Sequence, residues 1–114
     1  MFEIKNGNIY INRCEKAELT VDVYSEVEGG GREPYALGEG ERLRLRVLSM
    51  PRYDVLLEKF TAEKINTFQI EGKDTEKLSG QMAYSIAVIF PDGSEAFVIA
   101  PSDTDIPRFY VLEG

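Results

Sequence analysis

Side chains able to do chemistry are few and scattered in this sequence. Histidine is absent, which removes a Ser-His or Cys-His nucleophile pair, a histidine metal site and an imidazole general base. Cys14 is the one cysteine. It stands in a polar turn, Asn12 to Lys16, with neither a histidine nor a helix N-terminus to lower its pKa, so it reads as an ordinary thiol. Asp103-Thr104-Asp105, joined by Asp92 if the two loops share one end of the fold, offers carboxylate oxygens that suit Ca²⁺. The EF-hand spacing is missing, and solvated loops are the plainer reading. Acidic residues number 20, so some carboxylates must lie close together. Spacing alone neither names nor excludes a glycosidase-like pair. Gly29-Gly30-Gly31 has the glycines of a phosphate loop without the lysine and hydroxyl that should follow, and Pro34 falls where a helix would have to begin; a flexible linker is the better reading.

Residues that could recognise a partner are more numerous. Arg42, Arg44 and Arg46 recur at every second position and form a one-sided stripe able to clasp an acidic protein. Pairing across a sheet with Glu18 and Asp22 is the competing account, at roughly 0.2–1 kcal/mol per pair. Tyr35, Tyr53, Phe109 and Tyr110 are the aromatic candidates for an interaction surface, since aromatics are enriched at interfaces; core edges and loop anchors explain such residues equally well.

The element that must position these groups is the stretch from Asp74 to Phe90. Met82, Tyr84, Ile86, Val88 and Phe90 alternate with smaller or more polar residues, the period of a half-buried strand. Asp74 or Thr75 can cap a single helical turn near 74–78, and Gly80 supplies the left-handed residue that releases the chain into the strand. Ahead of it, Asn6-Gly7 between two alternating segments predicts an N-terminal hairpin. Ala17 to Tyr24 and Glu41 to Leu48 are two further amphipathic strands. Ser25 to Pro34 has nothing to bury and reads as a mobile loop, with Tyr35-Ala36-Leu37 docking it back. Tyr53 to Phe60 fits strand or helix by pattern, and its neighbours favour strand. Thr67 to Glu71, Glu95 to Ala100 and Arg108 to Leu112 complete the set. Pro91-Asp92-Gly93-Ser94 is the turn that makes Glu95 to Ala100 a hairpin partner of the long strand. Seven to nine short strands with one helical turn predict an all-β, immunoglobulin-like antiparallel β-sandwich forming a single domain over residues 1–114.

Composition bounds the function. A chain of 114 residues that is 43% hydrophobic can bury one core without disulfides. Its net charge of −7 argues against nucleic acid and against an anionic membrane surface, both of which call for clustered Lys and Arg. No signal-peptide pattern opens the sequence and no apolar run reaches transmembrane length, which fits cytoplasmic synthesis.

The order of elements resembles the immunoglobulin-like N-terminal domain of phage baseplate upper proteins and related small phage and prophage structural proteins. The residues that carry it are Arg13 to Val21, Arg32 to Leu37, and above all Asp74-Thr75 with Leu78, Gly80, Met82, Tyr84, Ile86 and Val88. Pro91-Asp92-Gly93 and Phe109-Tyr110-Val111 complete it. Two positions depart. Such domains commonly place Gly-Asp where this chain has Cys14-Glu15, and an aromatic where it has Met82. The first bears on the turn, because glycine accepts positive φ more readily than cysteine; the second exchanges one core filler for another. The resemblance implies a non-enzymatic structural part of a virion or prophage, with no cofactor, that assembles with copies of itself or with other tail or capsid proteins. It transfers no binding residues. Under this reading the docking element is an exposed strand edge, the N-terminal hairpin or Arg108 to Leu112. A stand-alone module for carbohydrate or a surface ligand, using Tyr35, Tyr53 and the aspartate loops, is the alternative, and a carboxylate hydrolase comes third.

Overall fold

A computed structural model of the chain describes residues 3–5, 8–26 and 28–113. These described residues form eleven strands and one helix, in order β1 (Glu3–Lys5), β2 (Asn8–Asn12), β3 (Ala17–Thr20), β4 (Tyr24–Glu26), β5 (Arg32–Pro34), β6 (Arg42–Leu48), β7 (Val55–Phe60), β8 (Thr67–Ile70), α1 (Gly72–Thr75), β9 (Gly80–Ile89), β10 (Glu95–Ile99) and β11 (Arg108–Leu112). The molecule is an all-β sandwich. The count exceeds the expected seven to nine because three strands, β1, β4 and β5, are only three residues long.

β9 is the organiser, as its alternation predicts. β6 pairs with it along one edge from Ala83 to Ile89, while the other edge is shared between β11 at Gly80–Ala83 and β10 at Ile86–Ile89. The larger layer thus runs β1-β2-β11-β9-β6-β7, with β10 beside β9. The second layer is the β3-β8 pair, accompanied by the β4-β5 hairpin. Inward residues of both layers, among them Leu19 and Phe68 from one and Ile9, Leu43, Leu45, Tyr84, Ile86 and Phe109 from the other, form one buried cluster. Each such aliphatic side chain contributes on the order of 1.5–3 kcal/mol by leaving water. Met82 fills its place in this core, 5% exposed.

The structure corrects several expectations. Arg108–Leu112 is no edge: β11 lies between β2, to which it runs parallel, and β9. Phe109 therefore belongs to the core, 1% exposed, with its ring edge-on to Tyr84 at 6.5 Å. The residues from Ser25 to Pro34 are a hairpin, not a loop alone, because Gly29 and Gly30 take φ of +91° and +85° and turn β4 back onto β5. Tyr35 does dock the segment, its N–H donating to the Val23 carbonyl at 2.8 Å. The N-terminal hairpin is present as β1 paired with β2; the predicted Asn6-Gly7 turn lies outside the described residues.

The helical turn starts earlier than Asp74. Glu71 is its N-cap residue, and Asp74 reaches back to accept the Glu71 N–H at 2.8 Å, so Asp74 acts from inside the helix. Gly80 has the predicted left-handed conformation, φ +76°. Finally, β9 is buried on both faces, not one: Ala83, Ser85 and Ala87 are as inaccessible as Tyr84 and Ile86.

Candidate functional site

That second buried face of β9 marks the candidate site. β6 sends Leu43, Leu45 and Val47 into the core, so its alternate residues Arg42, Arg44, Arg46 and Leu48 rise from the opposite, outer face of the sheet. In register beside them on β9 stand Ile89, Ala87, Ser85 and Ala83. On the flanks, β7 places Phe60 opposite Arg44 and Glu58 opposite Arg46, while β10 places Glu95 opposite Ile89 and Phe97 opposite Ala87. Small residues down the middle and long ones on both sides make a trough, which is why the small ones are buried.

The three arginines have different fates. Arg44 crosses Ala87, where a methyl group leaves room, and pairs through Nη1 with Glu95 on the strand beyond. It is 7% exposed, and its Nε and Nη2 are buried without a hydrogen-bond partner. Such a guanidinium carries an uncompensated desolvation cost. Arg46 donates from Nε to Glu58 at 2.7 Å in a partly exposed pair. Arg42 lies 4.2 Å above the centre of the Phe60 ring, a cation-π contact. None of them meets Glu18 or Asp22 in a sheet, because β3 pairs with β8 in the other layer. Their partners are Glu58 on β7 and Glu95 on β10 instead, strands whose positions relative to β6 follow only from the sheet order.

Beside Arg46 the trough deepens into a hollow of about 260 Å³ lined by Leu48, Tyr53, Val55, Ser85, Phe97, Ala100 and Pro101. Tyr53, Val55, Phe60 and Phe97 are all well exposed. Tyr53 is held by its N–H donating to the Ser49 carbonyl at 2.9 Å, with φ at +60°. Sequence reasoning found Arg42, Arg44, Arg46 and Tyr53. It missed Phe60, Phe97 and Glu95, whose only sequence signal was a place in a predicted strand.

The remaining candidates do not join this group. Tyr35 lies on another side of the molecule, lining a hollow with Val23, Val88 and Phe90, and its hydroxyl donates to Glu41 Oε1 at 2.6 Å. That bond raises the Tyr35 pKa above 10.0; Glu41, accepting from the Gly38 N–H and from Tyr35, is lowered. Tyr110 stacks on Tyr10 of the parallel strand, ring centres 4.8 Å apart. Asp92 is occupied by its own turn, accepting from the Ser94 N–H and hydroxyl, which lowers its pKa. β10 separates it from the loop of Asp103 and Asp105 by about 17 Å of strand, so the imagined Ca²⁺ ligands are not brought to one end. Among the described residues no three of Cys, Asp and Glu converge as metal ligands.

Comparisons with protein-family models, with curated proteins and with solved structures find no match to this chain.

Proposed function

We propose that the protein is a non-enzymatic assembly module that docks an acidic protein partner on the outer face of its larger sheet. The observation that carries this reading is a buried, half-paired guanidinium, Arg44, set among exposed Phe60, Phe97, Tyr53 and Val55 and flanked by Arg42 and Arg46. Arginine and aromatic residues are the side chains that anchor protein interfaces, and on a chain of net charge −7 three arginines against the two glutamates that pair with them, Glu58 and Glu95, leave this stripe with a positive balance that favours carboxylates. The resemblance to phage baseplate upper domains supplies the setting, a virion or prophage part acting through protein contacts, with tail and baseplate polypeptides as the partners.

The test is affinity capture of tail or baseplate polypeptides by the native chain and by an Arg42→Glu, Phe60→Ser variant, both first shown to unfold at the same temperature. Retention by the native chain and loss by the variant is the expected result. A glycan that binds the native chain tightly, with no protein retained, would establish the carbohydrate-binding alternative in its place.

A further inference from the structure

A second feature lies where the two layers part. β10 is hydrogen-bonded to β9 along one edge, and no described strand pairs with the other. The Phe90 N–H donates to the Ser94 carbonyl at 2.9 Å, which sets the phase of this antiparallel hairpin. Ala96 and Val88 are then a bonded pair, and Glu95 and Phe97 turn their own N–H and C=O groups outward. Facing that free row, residues 21–23 continue the in-out alternation of β3, with Val21 and Val23 buried and Asp22 exposed, but belong to no strand. Between the two runs lie adjoining hollows of about 510 and 380 Å³ that share Asp22 and Val98 and reach the core at Ile86 and Val88.

The charge of the seam is one-sided. Asp22 lines both hollows, and no lysine or arginine is among the described residues that line them. Glu33 stands opposite Ser25 at one end, and the charge of Asp105 acts on Tyr84 at the other. A second copy of the chain, itself at −7, would bring like charge to this rim. The register shift after Phe97 confines the straight row to Glu95–Phe97, so an occupant is short.

We infer that this seam accepts a short extended segment of a different protein, its alternate apolar side chains filling the two hollows, its backbone pairing with Glu95 and Phe97, and lysine or arginine flanking it. This goes beyond the outer-face reading and does not depend on it.

Two synthetic peptides test it, each an alternating Val-Thr hexamer, one flanked by lysines and one by aspartates. The lysine-flanked peptide should bind and slow amide exchange at Glu95 and Phe97. Phe97→Pro deletes an N–H that the β9 ladder does not use, so folding should persist while binding weakens by roughly 5- to 10-fold, the loss of one hydrogen bond. Val98→Glu, a partly exposed position in both hollows, provides a second variant and should weaken binding likewise. Arg42→Glu should leave it unchanged, which separates this site from the outer face. The inference is overturned if neither peptide binds, if the aspartate-flanked one binds equally well, if binding survives both variants, or if the seam proves to be filled by a second copy of the chain.

Discussion

At Cys14 the chain holds a side chain where its backbone suits glycine. Its φ is +66°, the left-handed region that costs an ordinary residue roughly 1–2 kcal/mol. The turn keeps that geometry through two local ties. The Cys14 N–H donates to Thr75 Oγ1 at 2.9 Å, and the Cys14 carbonyl lies against Gly72, where an added Cβ would come within 2.6 Å of it. Cys14→Gly should therefore leave urea stability equal or higher by up to about 1 kcal/mol, whereas Gly72→Ala should lower it by about 1–3 kcal/mol, since a backbone carbonyl cannot step aside cheaply. Tyr84 belongs to the same scale. Burial, assisted by the charge of Asp105, pushes its phenol up to about 12 from 10.0. The raised value means that its contribution to stability is complete below pH 10 and is lost as pH rises toward 12. Absorbance titration of the tyrosines should show one of the six ionising last, and Tyr84→Phe should remove that late step.

Between elements, ion pairs tie parts that sequence order keeps apart, two of them inside the sandwich's strands and helix. Arg44 joins β6 to β10 across β9. Because Arg44 is the buried member of the pair and Glu95 the exposed one, stranding the guanidinium costs more than stranding the carboxylate, and Glu95→Ala should lower the unfolding midpoint more than Arg44→Met does. The double variant should recover to near the native value, and a thermal double-mutant cycle reads this directly. The second tie is Lys59 of β7 to Asp74 of α1, Nζ to Oδ2 2.9 Å. Burial works to raise the Asp74 carboxyl, but the hydrogen bonds from Lys59 and from the Glu71 N–H outweigh it and hold the pKa below 3.8. A lowered carboxylate pKa adds stability above the unfolded value, and that stability disappears as pH falls through the folded one. Asp74→Asn should thus be less stable than the native chain at pH 7, with the difference closing below about pH 4.

For the molecule as a whole, the decisive contact is made by the ends of the described chain. β2 and β11 are parallel neighbours, Phe109 beside Ile9 and Val111 beside Ile11, and among the described strands β11 is what connects β2 to β9. Deleting residues 108–114 should strip two core residues, expose the edge of β9 and cut the β1-β2 hairpin off from the rest of the sheet, so cooperative thermal unfolding should vanish in calorimetry. This dependence could not be read ahead of the structure. The sequence marked Arg108–Leu112 as a final strand but offered it as an exposed edge with Phe109 on its surface, whereas it lies inside the sheet with Phe109 in the core.

The same division runs through the candidate site. Period-2 patterning and glycine and proline chemistry are local properties, and they sufficed for the longer strands, the left-handed Gly80 and the all-β class, though not for the short β4-β5 hairpin. Strand neighbours are chosen by which buried faces fit across the whole sandwich, a condition no short window contains. So the sequence by itself marked Arg42, Arg44 and Arg46 as one stripe, and the tertiary structure alone decided that Ala87 opens a path from Arg44 to Glu95, that Phe60 and Phe97 flank the stripe, and that one edge of β10 is left unpaired by any described strand.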